Sequence, residues 1–119
     1  MSNDSKRISD KDITERTLVK VREYSEFFCD VLAEHYNIIC KYPPSKVANA
    51  CFYIARQCCN LRNVWSYDLE EYTGYSEANL KDIIQDITKG SYEIRKLIEY
   101  ARNNCREGTR AEYINNLKF

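Results

Sequence analysis

The stretch from Lys46 to Asn60 constrains this chain more than any other. Its polar positions, Lys46, Asn49, Tyr53, Arg56, Gln57 and Asn60, fall at helical spacings and make one narrow strip. Everything else in it, Val47, Ala48, Ala50, Cys51, Phe52, Ile54, Ala55, Cys58 and Cys59, is small or apolar. A helix that is apolar around more than half its circumference has to be contacted on several sides. Val47–Cys59 is therefore expected to be a central buried rod, with the polar strip as its exposed edge. Pro44 suits the first turn of that rod, where its missing N–H is not needed.

The rest of the chain is punctuated for helices joined by short turns. Gly74, Gly90 and Gly108 are the only glycines, and each is followed within two residues by a hydroxyl: Ser76, Ser91 and Thr109. Glycine tolerates the left-handed conformation that stops a helix, and Ser or Thr caps the next one. No run alternates apolar and polar residues well enough to compete as a sheet. A first helix is expected behind the capping box Asp12-x-x-Glu15, with Val21, Tyr24, Phe28, Val31, Leu32 and His35 on its apolar face, fading near Asn37 before Pro43-Pro44. The rod is second. A short third helix covers Ser66 to Thr73 with Leu69 and Tyr72 turned inward. The fourth starts at Ser76 and aligns Leu80, Ile83, Ile84 and Ile87. The fifth aligns Ile94, Leu97, Ile98, Ala101 and Cys105. A last turn is expected from the Thr109-x-x-Glu112 pattern to Leu117. The reading is all-α: five helices around a central buried one, residues 1–11 frayed, and residues 12–119 one domain.

Composition narrows the function. Eighteen basic residues balance eighteen acidic ones, so no global field steers the chain to nucleic acid. The densest apolar stretch, Val47 to Ala55, is about half a membrane span, and no signal-peptide core precedes Thr17. The six cysteines, at 29, 40, 51, 58, 59 and 105, include no C-x-x-C, and His35 is the only histidine. Four zinc ligands need close pairs, which this spacing does not supply. The cysteines read as reduced thiols serving as small hydrophobes. One histidine on a core face is poor material for a general base, and three isolated glycines make no phosphate loop. The acids Asp68, Glu70, Glu71, Glu77, Asp82 and Asp86 spread along solvated faces rather than converging. No catalytic residue, cofactor site or metal site is expected.

One combination of residues goes beyond a generic helical bundle. Tyr42-Pro43-Pro44-Ser45-Lys46-Val47-Ala48 opens the Ala-rich rod, Trp65 follows it, and Tyr72-Thr73-Gly74-Tyr75-Ser76 comes next. In this order and spacing they resemble the second, C-terminal box of the cyclins, most nearly the mitotic A/B type. The resemblance covers roughly residues 20–100 and rests on Pro44, Ser45, Ala48, Trp65, Tyr72, Gly74 and Tyr75. It implies a five-helix cyclin-box fold in which these residues specify structure. Ser45 would offer an oxygen to free N–H groups, Trp65 would plug the gap between the second and third helices, and Tyr75 would staple the entry to the fourth. The family's first box, with its kinase-contacting helices and substrate-docking patch, has no counterpart in these 119 residues.

The resemblance further implies a non-catalytic regulatory subunit, or the C-terminal domain of one, of a cyclin-dependent Ser/Thr protein kinase in cell-cycle control. Its kinase would be engaged through the missing first box, in the nucleus and/or cytoplasm. The alternative is a stand-alone cyclin-fold adaptor or a transcription-factor-like module. The strip Lys46, Asn49, Tyr53, Arg56, Gln57 and Asn60 is the candidate docking surface, because Arg and Tyr are favoured in interfaces. A box built to lean on another should also leave an apolar face uncovered, open to a second copy of the chain. Neither nucleic acid nor a membrane is an expected partner.

Overall fold

The polar and apolar phasing of the chain is realised as six helices in a computed structural model that describes residues 7–90 and 92–104. A single turn of 3-10 helix at Asp10–Asp12 precedes α1 (Glu15–Leu32), α2 (Tyr36–Ile39), α3 (Pro44–Cys58), α4 (Tyr67–Thr73), α5 (Glu77–Gly90) and α6 (Tyr92–Asn104). Among the described residues the only extended pairing is an isolated parallel bridge between Ile8 and Leu61. No helix among them is long and apolar enough to cross a membrane.

Helix α3 is the rod the sequence calls for. It packs against α1, α5 and α6, and Ala50, Cys51, Ile54, Ala55 and Cys58 are buried along it. The small side chains among these leave room for the bulkier residues of α1, where Val21, Tyr24, Phe27, Phe28 and Leu32 are all buried. Tyr24 stacks on Phe28 with ring centroids 6.3 Å apart, and Phe27 tilts against Phe28 at 5.9 Å. Leu80, Ile83 and Ile87 of α5 and Ile94, Leu97, Ile98 and Ala101 of α6 complete the core. Each large apolar side chain so buried contributes about 1.5–3 kcal/mol.

Several expectations are corrected. The first helix does not run to Asn37. It stops at Leu32, after which His35 N donates back to Leu32 O at 2.8 Å and the chain starts the separate four-residue α2. That redirection carries Ile38 into the core and against α5. No glycine or proline marks this break, so it has no punctuation to read. The cap of α1 is also displaced: Thr14, not Asp12, accepts from Thr17 N, while Asp12 accepts from Ser9 Oγ at 2.7 Å within the 3-10 turn. Phe27, missing from the expected apolar face, is buried, and Val31, Ile84 and His35 are only half-buried. Tyr72, expected inward, is 89% exposed. Ala48, counted as part of the buried rod, is exposed.

Within the N-terminal segment, the described Ile8 pairs with the chain after α3. Ile8 N donates to Asn60 O at 2.9 Å, and Arg62 N donates to Ile8 O at 2.8 Å. Cys105, Ser91, Gly108 and the 109–117 turn lie outside the described residues.

Two helix ends show how glycine and asparagine are used. Gly74 ends α4 at φ +79°, its N–H donating to Glu70 O at 2.9 Å. Asn60, just past the end of α3, also has positive φ, at 64°, a region asparagine tolerates better than most residues. Gly90 has another role: a Cβ there would meet Ile38 Cδ1 at 2.9 Å, so the close approach of α2 to α5 favours its lack of a side chain. A Cβ on Gly74 would meet nothing within 4 Å. Substituting Gly74→Ala should therefore cost backbone strain alone, about 1 kcal/mol in urea denaturation. A neutral result would show that the turn relaxes out of the left-handed region.

Candidate functional site

Among the residues that carry the family resemblance, Ser45, Trp65, Gly74 and Tyr75 come together in space. Pro44 occupies the first turn of α3 after Pro43, as the sequence requires. Ser45 does not cap the helix. Its Oγ lies 2.8 Å from the hydroxyl of Tyr75, at the turn between α4 and α5. The carbonyl of that same Tyr75 accepts from Trp65 Nε1 at 2.8 Å. Trp65 also packs edge-on to Phe52 (5.8 Å, 74°) and tilts against Tyr53 (6.0 Å). One residue, Tyr75, thus ties the start of α3 to the loop leading into α4. The turn is fixed locally by Thr73, whose Oγ1 donates to Leu69 O at 2.7 Å and accepts from Tyr75 N at 3.2 Å. Ser66 Oγ caps α4 by accepting from Leu69 N. Ser76 and Asn79 close a reciprocal box at the start of α5, Asn79 taking the place usually held by Glu or Gln. Tyr72 and Ala48 take no part in this cluster.

The proposed docking strip divides into parts with different fates. Arg56 is only 7% exposed. Its Nε donates to Val64 O at 2.6 Å and its Nη2 to Asn63 O at 2.9 Å, so it holds the α3–α4 loop in place rather than facing a partner. Burial lowers the guanidinium pKa, and Asp10 opposes that effect. Lys46 reaches Asp82 of α5 at 3.1 Å, and Tyr53 donates to Glu77 at 2.6 Å. Asn49 folds back onto its own helix, donating to Ser45 O at 2.8 Å. Asn60 is the left-handed stop of α3. Gln57 is exposed.

Two residues of what looked in sequence like an outward edge, Lys46 and Tyr53, belong to a polar seam between α3 and α5. Just ahead of α3, Tyr42 extends the seam by donating to Asp86, and Lys41 lies 3.8 Å from that carboxylate. Lys46 also sits over the Tyr42 ring, 5.2 Å from its centroid. The basic run from Lys41 and the acidic run ending at Asp86 are thus partners within one chain. The asymmetry was legible in sequence; the pairing was not, because nothing in the spacing shows which acids of α5 turn toward α3. Exposed ion pairs such as Lys46–Asp82 contribute little individually. Lys46 still holds the Asp82 carboxyl below the ordinary carboxylate range.

The seam tyrosines make it sensitive to alkali. The hydrogen bond to Asp86 pushes the Tyr42 hydroxyl up to about 12. Burial, with the bond to Glu77, pushes Tyr53 up to about 12 as well. Both titrate above the ordinary phenol value of about 10, so the folded state holds these protons more tightly than the unfolded chain. Their contribution is complete below about pH 10 and disappears as pH rises from about 10 to 12. The thermal midpoint of the wild type should fall more steeply across that interval than that of the Tyr42→Phe/Tyr53→Phe variant. Parallel curves would remove the seam from the stability balance. Arg56→Met leaves two loop carbonyls without their donor and should destabilise by about 2 kcal/mol, with Arg56→Lys recovering only part because it lacks the fork. Equal stability of Arg56→Met and wild type would refute the anchoring role.

The comparisons with known proteins agree with this geometry. The sequence profile of the cyclin C-terminal domain matches residues 5–104. The chain is also similar to a Cyclin-J-like protein of Mus musculus, with 34% identity over 65 residues. That alignment covers 55% of this chain and 16% of the relative, so the chain spans only a small part of the protein it matches. No solved structure gives a significant match. With residues 5–104 fitting the profile and Ser45, Trp65, Gly74 and Tyr75 converging around α3, this chain belongs to the cyclin family, as a cyclin C-terminal domain.

Proposed function

We propose that this chain is the C-terminal box of a cyclin-type regulatory subunit that acts on a Ser/Thr protein kinase in cell-cycle control, in the nucleus and/or cytoplasm, without chemistry of its own. The supporting observation is the match of residues 5–104 to the cyclin C-terminal domain, together with the use of its signature residues as internal braces. In this reading regulation is a coupling of equilibria. The subunit binds the active arrangement of the kinase better than the inactive one, and the difference in affinity sets the shift. The C-terminal box stabilises the partner box that touches the kinase and adds surface at its margins. Among the described residues, Tyr36, Tyr67, Tyr72 and Tyr92, together with Leu18 and Val19 on α1, are large exposed side chains available for such a margin or for a second copy. We assign Lys46 and Tyr53 of the former docking strip to the α3–α5 seam and Arg56 to the α3–α4 loop, since each has an intramolecular partner there. This weakens the rival adaptor or nucleic-acid reading, which needed those cations facing outward.

Two measurements test the proposal. Alone, the chain should show no submicromolar affinity for a cyclin-dependent kinase by calorimetric titration and no activation. Fused behind the first box of a kinase-activating cyclin, in place of that protein's own second box, it should raise activation at least about tenfold over the first box alone, within the usual range of coupling between sites. Activation no better than that of the first box alone would overturn the bracing role. Tight binding and activation by the isolated chain would place the kinase contact on this box instead.

A further inference from the structure

We propose that Tyr72 is an acceptor site for a protein tyrosine kinase that reads carboxylates ahead of its target, and that the phosphate loosens α4 from the rest of the domain. The inference stands apart from the Ser/Thr kinase partnership proposed above. Tyr72 carries part of the family resemblance, yet it takes no part in the cluster around Tyr75. It is 89% exposed, against 72% for Tyr67, 70% for Tyr36 and 66% for Tyr92, and the other described tyrosines are buried or half-buried. Three of the four residues before it are acids: Asp68, Glu70 and Glu71. Tyr67 and Tyr92 have no acid among the four residues before them, and Tyr36 has only Glu34. No lysine or arginine stands between Arg62 and Lys81, so a basic substrate groove meets no like charge along this segment. Among the described tyrosines, exposure and acidic context coincide at Tyr72.

A kinase also needs its target lifted clear of the fold. None of the seven residues of α4 is buried, and the helix packs extensively on no other described helix. Its ends are held by the Ser66 cap on Leu69 N and by Gly74 N donating to Glu70 O. Leu69 is its half-buried anchor, in a groove shared with Ile13 and Arg56. Opening such a segment exposes little apolar surface and belongs to the low-cost end of local unfolding.

With ATP as the phosphoryl donor, the Tyr72 hydroxyl oxygen attacks the γ-phosphorus. The new O–P bond forms as the bond from phosphorus to the β,γ-bridging oxygen breaks. ADP leaves with that oxygen, and a carboxylate of the kinase takes the phenolic proton. The phosphate brings a charge of about −1.5 to −2 at pH 7. It lands in the last turn of α4, next to Glu71 and one turn from Asp68, at the helix end that already carries negative partial charge. Like charges there weaken the helix. Trp65, the only tryptophan, donates through Nε1 to Tyr75 O just beyond that end, so the loosening reaches a natural fluorophore.

The test incubates the full chain with Mg2+-ATP and a tyrosine kinase that phosphorylates poly(Glu,Tyr). Tandem mass spectrometry follows the order of modification and separates Tyr72 from Tyr67 and Tyr75 on the tryptic peptide 63–81. Tyr72 should be modified first, and Trp65 emission should move to longer wavelength as that site fills. Tyr72→Phe, at an exposed position, should remove both the first site and the shift. Glu70→Gln/Glu71→Gln should slow modification at least about threefold, the scale of two exposed ion pairs. The site assignment is overturned if another tyrosine, Tyr113 included, is modified ahead of Tyr72, or if the two glutamines leave the rate unchanged. The loosening is overturned if complete phosphorylation of Tyr72 leaves Trp65 emission where it was.

Discussion

The structure depends on keeping dry the face of one helix that α1, α5 and α6 cover. Helix α3 carries small residues where α1 and α6 approach it, and these let the aromatic side chains Tyr24, Phe27 and Phe28 do most of the filling. Such a helix has few places for polar groups, and each one present has to be satisfied close to home. Arg56 meets this with two loop carbonyls, Asn49 with a carbonyl one turn back, and Lys46 and Tyr53 with acids of α5. The apolar contacts decide where α3 lies. The polar contacts fix which helix covers its remaining flank and where the loop after it goes.

The sequence was most legible where a single residue type has few alternatives. Pro44 at the start of α3, Gly74 as a left-handed stop, Ser66 and Ser76 as caps, and the apolar faces of α5 and α6 all follow from local chemistry. It was least legible where the outcome depends on a neighbour. The break after Leu32 lacks a glycine or proline and exists because Ile38 is better placed against α5 than along the axis of α1. Tyr72 shares its helix with the half-buried Leu69, yet α4 is short and packed on one side only, so the tyrosine falls outside. At the candidate site, helical phasing found the strip but misjudged its surroundings. A periodicity shows which residues share a face; it does not show what that face meets.

The cluster around Tyr75 explains why a short set of residues can mark a fold. Ser45, Trp65 and Tyr75 are distant in sequence but bound to one another through a hydroxyl and a carbonyl of the same tyrosine. The left-handed Gly74 beside it lets the chain turn sharply enough to present both groups. Losing Ser45 removes the partner of the Tyr75 hydroxyl and losing Trp65 removes a donor to the Tyr75 carbonyl, so two hydrogen bonds help to specify a path for the chain as well as stabilise it. These roles are structural, and they are filled by some of the residues through which the family was recognised. Recognition of a fold and identification of a working surface are therefore separate questions for this chain.

Where that surface lies is narrowed by geometry on α3 itself. A helix turns about 100° per residue, so Cys51 lies roughly 150° around the axis from Lys46 and Tyr53. The polar seam and the buried Cys51 therefore occupy nearly opposite flanks of α3, the seam joining it to α5. The α5 flank is held by several pairs acting together. The α1 flank is held by apolar packing and opens into a groove beside Cys29. A change at the groove has to act on the α1–α3 contact, because the opposite flank is already braced. Of the three helices packed on the rod, α1 is the one bordered by that groove.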